Sequence, residues 1–297
     1  MPPLFAWVAA MWKILLVLLL GVNFAHAETP VTYSSQPLHL ALSAVMLGEQ
    51  QTVIARWQKY LELHLQRPVV FVQRRTYREM IDGFADGKLD AGWICSVPHL
   101  RYPKAQRLLA VGVWQGQPLY RAYLIVPSRD VTTQSLADLR GKSFAYSDPE
   151  SNSGHLVPEA EILALGGDPK TFFSKTLFTY SHKKSIAAVA DGLVQGASVD
   201  GYIYAQMARF YPAVIARTRV VSQSPQYGFP PFVSSAQLPA ADAQKLRAVL
   251  LAMDGDEEGR ALLAYMGLDK FIAGDEPLFD SVAALMKKVE RHAKVTQ

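Results

Sequence analysis

The sequence predicts an α/β protein built from two α/β lobes that are joined by two crossover hinge segments. The chain has 297 residues, half of them apolar, which is enough for two domains of ordinary size. From Leu38 onward, short apolar strands alternate with helical stretches, as in βαβ units on a largely parallel sheet. Two turn-rich interruptions, at residues 127–130 and 222–231, predict where the chain crosses between the lobes.

The first lobe is predicted to contain residues 28–126 and 225–297. Its strands are expected at residues 38–42, 69–72, 91–94, 108–114 and 120–126. Its helices are expected at residues 49–65, 76–86, 240–253, 257–265 and 279–292. Thr76 and Glu79 have the spacing of a capping box, which supports the start of the second of these helices.

The second lobe is predicted to contain residues 127–224. Its strands are expected at residues 143–146, 176–180 and 199–203. Helices are expected to begin at Ser153 and His182. At about a hundred residues, this unit has the size of an ordinary compact domain.

The N-terminal residues 1–27 are predicted to be a signal peptide. Lys13 precedes an apolar run, and Ala25 and Ala27 supply the small residues expected around a cleavage site after Ala27. An uncleaved membrane anchor is the alternative, but the run after Lys13 is short of the ~20 residues that span a bilayer. Met11 is a second possible start.

Composition and spacing argue against several classes of protein. Cys95 is the only cysteine, so no internal disulfide can form. The formal charge of +4 suits an anionic ligand, but the basic residues are scattered and accompany no nucleic-acid motif. No metal-ligand spacing and no G-x-S-x-G motif occur, so we expect neither a metal site, nor a cofactor, nor a hydrolase.

A polar turn after the strand at 143–146 is the strongest candidate site. It contains Ser151, Asn152, Ser153 and Gly154 at the expected start of a helix. Unpaired N–H groups, the positive end of the helix dipole and two hydroxyls would together favour an anion. These residues are equally suited to capping the helix, and the residue types alone do not separate the two roles.

The run D-P-x-S-x-S-G-x-x-x-P at Asp148–Pro158, after an L-x-D-L-x-G-K turn, resembles the phosphonate-binding family of type II periplasmic binding proteins. The resemblance implies the two-lobed fold of that family, with the serine hydroxyls and the helix start holding phosphoryl oxygens. Ser151, Ser153 and Gly154 match the family's motif, and His155 occupies the variable position after the glycine.

The segment at residues 77–96 resembles the family's helix, G-K-x-D turn and strand that lead into the cleft. The resemblance implies ligand contacts at Trp93, Cys95 and Ser96, and less firmly at His99. A tyrosine that is common in this part of the family is missing. The alternative is that Trp93 and Cys95 belong to the core.

Two further segments carry the resemblance. Tyr180-Ser-His182 with Val199-Asp200-Gly-Tyr202 is similar to the family's G-S-H turn and V-D strand, which implies ligand contacts at His182, Asp200 and Tyr202. Asp200 could equally cap the end of its strand. Tyr227 lies in a segment where relatives carry an acidic residue, and here Pro230 stands in its place. An aminoalkyl ligand is therefore disfavoured.

The resemblance implies a periplasmic solute-binding component of an ABC importer that binds a phosphonate, phosphate or phosphite-like oxyanion between its lobes. An inner-membrane ABC permease is the expected partner, and we expect a monomer that binds no nucleic acid. A periplasmic sensor of the same fold, signalling to a membrane protein, is one alternative. A hydrolase is the other.

Overall fold

The computed structural model describes residues 36–43 and 51–295, which form two mixed β-sheets covered by helices. The predicted signal peptide lies outside these residues. Among the helices of the described residues, none combines the length and apolar character needed to cross a bilayer.

The first sheet has six strands, which are β1 Leu38–Ser43, β2 Val69–Arg74, β3 Ala91–Trp93, β4 Gln106–Val113, β12 Pro231–Ser235 and β13 Lys270–Ile272. Their order across the sheet is β13-β4-β12-β3-β1-β2. β1 pairs in parallel with β2 and β3, whereas β12 and β13 pair antiparallel with their neighbours. The sheet is therefore mixed rather than largely parallel, because its last two strands enter from the C-terminal part of the chain.

The second sheet has five strands, which are β6 Ala122–Pro127, β7 Ser143–Tyr146, β8 Lys175–Phe178, β9 Gly196–Asp200 and β10 Thr218–Gln223. Their order across the sheet is β10-β6-β9-β7-β8. β7 pairs in parallel with β8 and β9, and β6 pairs antiparallel with β9 and β10. A short two-stranded sheet, β5 Leu119–Tyr120 with β11 Tyr227–Gly228, holds the two crossing segments side by side.

The first crossing lies earlier in the chain than the sequence predicts. Residues 120–126 are predicted to end the first lobe, but β6 is hydrogen-bonded within the second sheet. The reason is that an apolar strand between two α/β units can pair with either sheet, and only the tertiary structure decides which. The other lobe boundaries stay predictions.

Ten α-helices lie in the described residues. They are α1 Gln51–Leu65, α2 Tyr77–Ala85, α3 Ser96–Arg101, α4 Val157–Ala164, α5 His182–Ala190, α6 Gly201–Phe210, α7 Pro212–Ile215, α8 Ala240–Leu251, α9 Glu257–Met266 and α10 Asp280–Val295. The predicted cap at Thr76 is present, since its hydroxyl accepts a hydrogen bond from the Glu79 N–H at 3.0 Å.

The strand predicted at residues 199–203 is wrong in its second half. β9 ends at Asp200, and α6 starts at the next residue. The Asp200 carboxylate accepts hydrogen bonds from the N–H groups of Tyr202 and Ile203, which begins the helix although aromatic and β-branched residues favour a strand.

An aromatic cluster packs beneath the crossing segments. Trp93, Tyr202 and Phe229 are at most 1% exposed, and their ring centroids lie 5.1 to 6.4 Å apart. Truncating a buried aromatic side chain of this kind costs about 3–5 kcal/mol. The cluster therefore fixes the first sheet against the start of α6, at the end of the second sheet.

Candidate ligand-binding site

The turn between β7 and α4 contains a π-helical segment. β7 ends at Tyr146, and a π-helical segment, Asn152–Leu156, precedes α4. Ser151 caps this segment, because its hydroxyl oxygen accepts a hydrogen bond from the Gly154 N–H at 3.0 Å. The capping alternative considered for the serines therefore describes Ser151, while Ser153 is in a different environment.

Gly154 allows three segments of the second sheet to meet. A Cβ atom at this position would overlap the hydroxyl of Ser147 and lie 3.0 Å from Cε1 of His182. A residue without a side chain is required here for steric reasons. The end of β7, the π-helical segment and the start of α5 are thus in direct contact.

Four buried polar side-chain atoms in this turn have no hydrogen-bond partner within the described structure. They are Ser147 Oγ, Glu150 Oε2, Asn152 Oδ1 and Ser153 Oγ. The remaining described residues contain two further atoms of this kind, Trp57 Nε1 and Ser234 Oγ. A buried polar group without a partner costs about 1–3 kcal/mol. Their concentration in one turn indicates a site where a ligand supplies the missing partners.

His182 presents a hydrogen-bond donor next to this turn. Its Nδ1 accepts a hydrogen bond from the Asp200 N–H at 3.1 Å. Burial lowers the pKa of His182 to about 3, so the ring is neutral at pH 7. A neutral imidazole that accepts at Nδ1 carries its proton on Nε2. His182 can therefore donate to an oxyanion without being charged.

The backbone before His182 is strained. Tyr180 has a φ angle of 54°, in the left-handed region that aromatic residues rarely adopt. Ser181 then caps α5 by accepting a hydrogen bond from the Lys184 N–H at 3.4 Å. Strain of this kind persists only where the surrounding structure over-determines the backbone, and it lies two residues before His182.

Asp200 is the N-cap of α6, in agreement with one of the two roles considered for it. Its Oδ1 accepts hydrogen bonds from the N–H groups of Tyr202 at 2.8 Å and Ile203 at 3.2 Å. The side chain is buried, and burial raises the pKa of Asp200 to about 7. A carboxylic acid group that titrates near neutral pH therefore lies beside His182.

Cys95 and Ser96, at the start of α3, face the turn from the first sheet. Both are buried, and the Cys95 sulfur accepts a hydrogen bond from the Asn152 N–H at 3.3 Å. Burial raises the pKa of the Cys95 thiol, so it is protonated at neutral pH. Two of the predicted site residues are thereby brought against the serine-rich turn.

Two tyrosines that were not predicted as site residues complete this wall. The Tyr120 hydroxyl accepts a hydrogen bond from Asn152 Nδ2 at 3.0 Å. Burial, followed by the nearby Cys95, raises the pKa of both Tyr77 and Tyr120, while the neighbouring side chains of Asn152 and Ser153 act in the opposite direction on Tyr120. Tyr77 is the first residue of α2, and Tyr120 lies in β5. Nothing in their sequence spacing predicted that either tyrosine would lie at this site.

Hydrogen bonds join the turn after β7 to helices α2 and α3, which pack beside the first sheet. Besides the contacts of Asn152, the Tyr77 N–H donates to Asp148 Oδ2 at 3.3 Å, and the Tyr102 hydroxyl donates to Glu150 Oε1 at 2.6 Å. Asp148 Oδ1 accepts from the Glu150 N–H at 2.8 Å, so both of its oxygens are used. Burial raises the pKa of Asp148 to about 6.

Three predicted contact residues instead lie in the aromatic cluster or beside it. Trp93 Nε1 donates to the carbonyl of Pro230 at 2.8 Å, and the Tyr202 hydroxyl donates to the carbonyl of Met266 at 2.7 Å. Tyr227 is buried with its ring centroid 6.5 Å from that of Tyr120. The polar atoms of Trp93 and Tyr202 are thus used within the core.

His155 and His99 also have partners of their own. His155 Nδ1 donates to the Pro149 carbonyl at 3.0 Å, and its Nε2 lies 3.5 Å from Glu159. Burial lowers the pKa of His155 to about 4. The ring nitrogens of His99 contact Gln106 and Glu276 at 2.9 and 3.2 Å. Neither histidine joins the group around Ser153, and the described residues contain no cluster arranged to hold a metal ion.

Comparison with known proteins identifies a family. The model of the family described as "ABC transporter, phosphonate, periplasmic substrate-binding protein" matches residues 47–278. The phosphonates-binding periplasmic protein of Escherichia coli (strain K12) is 24% identical over 262 residues, covering 85% of this chain and 75% of the relative.

Solved structures share the fold. A binding protein component of an ABC phosphonate transporter from Pseudomonas aeruginosa has a TM-score of 0.80 and 22% identity, covering 89% of each chain. PhnD1 from Prochlorococcus marinus, solved in complex with methylphosphonate, has a TM-score of 0.74 and 19% identity, covering 86% of this chain and 98% of PhnD1. At these identities the structural likeness supports the predicted fold and does not assign a ligand.

Proposed function

Because the chain belongs to the family of periplasmic substrate-binding proteins of phosphonate ABC transporters, we propose that it captures a small phosphorus oxyanion at the turn between β7 and α4. The ligand would be phosphate, phosphite or a simple phosphonate. The observation that carries this proposal is the group of buried, unpartnered atoms that includes Ser147 Oγ and Ser153 Oγ. A ligand that brings several acceptor oxygens would satisfy these hydroxyls together.

The proposed contacts are hydrogen bonds from neutral donors. The hydroxyls of Ser147, Ser151 and Ser153 can donate to ligand oxygens, and so can Nε2 of His182. If the Asn152 amide turned by 180°, the Tyr120 hydroxyl could donate to its oxygen and its NH₂ group could face the ligand. Hydrogen bonds to a charged acceptor are about twice as strong as those between neutral groups. Such a donor set can bind an anion without a lysine or arginine.

The surroundings favour a ligand without a large organic group. Cys95, Tyr77 and Tyr120 are at most 3% exposed and form a tightly packed wall opposite the turn. Phe229 is fully buried in the aromatic cluster, and the backbone of Pro230 is held by Trp93. This supports phosphate, phosphite or methylphosphonate over a longer aminoalkylphosphonate.

Binding without catalysis is part of the proposal. Nucleophilic hydrolysis needs a serine hydrogen-bonded to a histidine that is oriented by a third group. His182 is held by the backbone N–H of Asp200 rather than by its carboxylate, and Ser153 Oγ has no partner in the described structure. This arrangement suits recognition of an anion more than activation of a nucleophile.

We further propose that the protein acts as a monomer in the periplasm after cleavage behind Ala27, and delivers its ligand to an inner-membrane ABC permease. Membership of a periplasmic substrate-binding family supports the compartment and the class of partner. Comparing the N-terminus of the secreted protein with the predicted Glu28 tests the cleavage. Light scattering of the purified protein tests the monomer.

The ligand assignment is tested by isothermal titration calorimetry with phosphate, phosphite, methylphosphonate and 2-aminoethylphosphonate at pH 7. We expect at least one of the first three to bind with a dissociation constant below about 10 μM. Binding of 2-aminoethylphosphonate is expected to be weaker. If none of the four binds, the proposed ligand class is wrong although the family and fold remain.

A further inference from the structure

Glu150 is a buried carboxylate that uses only one of its two oxygens. The residue is 8% exposed, and its Oε1 accepts hydrogen bonds from the Tyr102 hydroxyl at 2.6 Å and from Arg101 Nη1 at 3.4 Å. Its Oε2 is buried without a hydrogen-bond partner in the described structure. A carboxylate oxygen can only accept hydrogen bonds, so Oε2 can be satisfied only by a donor.

Arg101 lies beside this carboxylate with most of its donors unused. A guanidinium group carries five N–H donors in a fixed fork. Among the described residues, Arg101 makes no hydrogen bond besides the one to Glu150 Oε1. At 3.4 Å this bond is longer than the about 2.7–2.9 Å that is typical of charge-assisted hydrogen bonds. A small shift would let two N–H groups face the two oxygens of Glu150.

A completed pair of this kind exists between α1 and α9. Arg56 donates to Glu258 twice, from Nε to Oε1 at 3.1 Å and from Nη2 to Oε2 at 2.8 Å. Two parallel bonds between a guanidinium and a carboxylate are stronger and more specific in geometry than one. The pair formed by Arg101 and Glu150 has one of these two bonds.

The contact between Arg101 and Glu150 joins elements that belong to different sheets. Arg101 is the last residue of α3, which follows β3 of the first sheet, whereas Glu150 follows β7 of the second. Burial lowers the pKa of His155 to about 4 and raises that of Glu159 to about 7, and the charge of Arg101 lowers both. Arg101 is thus a cation from the first-sheet side that faces the turn and the start of α4.

The backbone around Glu150 links its position to the candidate site. The N–H of Glu150 donates to Asp148 Oδ1 at 2.8 Å, and the N–H of Ser151 donates to the Asp148 carbonyl at 2.9 Å. Pro149 has a fixed φ angle, and its carbonyl accepts from His155 Nδ1 at 3.0 Å. A shift of Glu150 therefore moves Ser151, which caps the π-helical segment.

On the basis of the proposed function, we propose that Arg101 is a positioning residue: when the oxyanion binds at the serine-rich turn, Arg101 pairs with both oxygens of Glu150 and holds the turn closed. Arg101 does not contact the ligand. The bound anion accepts hydrogen bonds from the serines and draws the turn toward α3, which shortens the contact between Arg101 and Glu150. Release of the ligand then requires the pair to separate.

Calorimetry on the secreted protein at pH 7 tests this role, with the tightest binder among phosphate, phosphite and methylphosphonate. R101Q should weaken binding about tenfold, because it removes one partner of a charge pair. R101K should still weaken binding about fivefold, since lysine keeps the charge but cannot form two parallel bonds. If R101K binds as tightly as the natural protein, a single charge is sufficient and the paired geometry is wrong.

The variant E150Q shows whether Arg101 acts through Glu150. Glutamine keeps an acceptor for Tyr102 but replaces the second acceptor by an NH₂ group. In the E150Q background, R101Q should weaken binding by less than about twofold, because the effects of two residues in contact are not additive. In the E159Q background, the loss should stay about tenfold. Equal losses with and without E150Q would overturn the proposal.

Alkylation of Cys95 by iodoacetamide tests the contact without an oxyanion. Cys95 is buried against the turn, so its labelling requires local opening. R101Q and E150Q should each label about threefold faster than the natural protein, since both remove the existing bond across the sheets. R56Q is the matched control, because Arg56 pairs with Glu258 instead, and it should change neither labelling nor affinity.

Two further results would overturn the proposal. One is unchanged labelling and affinity in R101Q while the natural protein binds an oxyanion, which would leave the proposed function intact. The other is a preference for 2-aminoethylphosphonate over methylphosphonate that E150Q abolishes, because Glu150 would then contact the ligand. If E150Q does not fold, the comparison of R101Q with R101K still decides. If no phosphorus oxyanion binds, the proposed function falls together with this inference.

Discussion

The N–H of Asn152 donates to the sulfur of Cys95 at 3.3 Å, and this hydrogen bond joins an element that follows β7 of the second sheet to one that follows β3 of the first. The side-chain amide of Asn152 also donates to the Tyr120 hydroxyl, at 3.0 Å. The turn that carries the candidate donors is therefore held closed by the only cysteine of the chain.

Cys95 should report on closure. Burial raises the pKa of its thiol and shields it, so alkylation by iodoacetamide at pH 8 requires opening of the site. Saturation with the preferred oxyanion should slow labelling at least tenfold, as measured by mass spectrometry. Protein unfolded in urea should label at the same rate with and without the oxyanion. A labelling rate in the folded protein that ignores saturating ligand would show that Cys95 is not at the site.

The serine hydroxyls should matter for binding rather than for stability. Ser153→Ala removes a buried hydroxyl that has no partner, so the ligand-free protein should unfold at the same or a higher temperature. The double variant S151A/S153A should weaken oxyanion binding by more than about 2 kcal/mol, or roughly 30-fold, if both serines donate to a charged ligand.

Ser234 provides the control for the serine variants. Its hydroxyl is also buried and unpartnered, but it lies in β12 of the first sheet. S234A should leave affinity unchanged in the same titrations. Equal affinity losses for S153A and S234A would argue that unpartnered hydroxyls in this chain have no connection with a ligand.

Tyr102 should support binding without touching the ligand. Its hydroxyl donates to Glu150 at 2.6 Å and accepts from Arg78 at 2.9 Å, which fastens the serine-rich turn to the end of α3. Tyr102→Phe should lower oxyanion affinity about fivefold, since one hydrogen bond to a charged group contributes about 1.5–3 kcal/mol and is partly solvated here.

Tyr60 is the matched control for Tyr102. It makes a comparable bond, 2.7 Å to Asp256, between α1 and the cap of α9. Y60F should lower the free energy of unfolding and leave oxyanion affinity unchanged. If Y102F and Y60F affect affinity alike, Tyr102 has no special role in closing the site.

His182 should make the ligand-free protein sensitive to acid. Its folded-state pKa is lowered to about 3 from an ordinary value of 6.5, so between these pH values the unfolded chain binds the extra proton. Stability is unaffected above pH 6.5 and falls as the pH drops toward 3. At pH 5 the loss from this one residue is about 2 kcal/mol.

Urea denaturation at pH 7 and pH 5 measures this loss. The natural protein should lose about 2 kcal/mol more between the two pH values than H182Q, whose amide oxygen can still accept from the Asp200 N–H. His155, whose pKa is also lowered, is present in both proteins and cancels from the comparison. Equal losses would mean that His182 is protonated in the folded protein.

Local chemistry in the sequence predicted several elements well. The Thr76 cap, the strand at Ser143–Tyr146 and the helix start at His182 follow from residue preferences that act over a few positions. The α/β fold and the class of substrate-binding protein are confirmed by the family match and by the structural neighbours. These features depend on motifs that are continuous in the chain.

Features that depend on tertiary contacts could not be predicted from the sequence. The pairing of β6 with the second sheet, and the approach of Tyr77 and Tyr120 to Cys95, join residues that are distant in sequence. Asp200 was considered both as a ligand contact and as a cap at the end of its strand, and only the structure shows that its Oδ1 caps α6. Trp93 and Tyr202 follow the family's pattern in sequence, but their polar atoms are used by backbone carbonyls in the core.

The most direct test of the account is a crystal structure of the protein with its preferred phosphorus oxyanion, at a resolution that defines the ligand oxygens. We predict ligand oxygens within 3.2 Å, the ordinary range for a hydrogen bond, of Ser147 Oγ, Ser153 Oγ and His182 Nε2. An oxyanion bound elsewhere, with the Ser147 and Ser153 hydroxyls still unpartnered, would contradict the account.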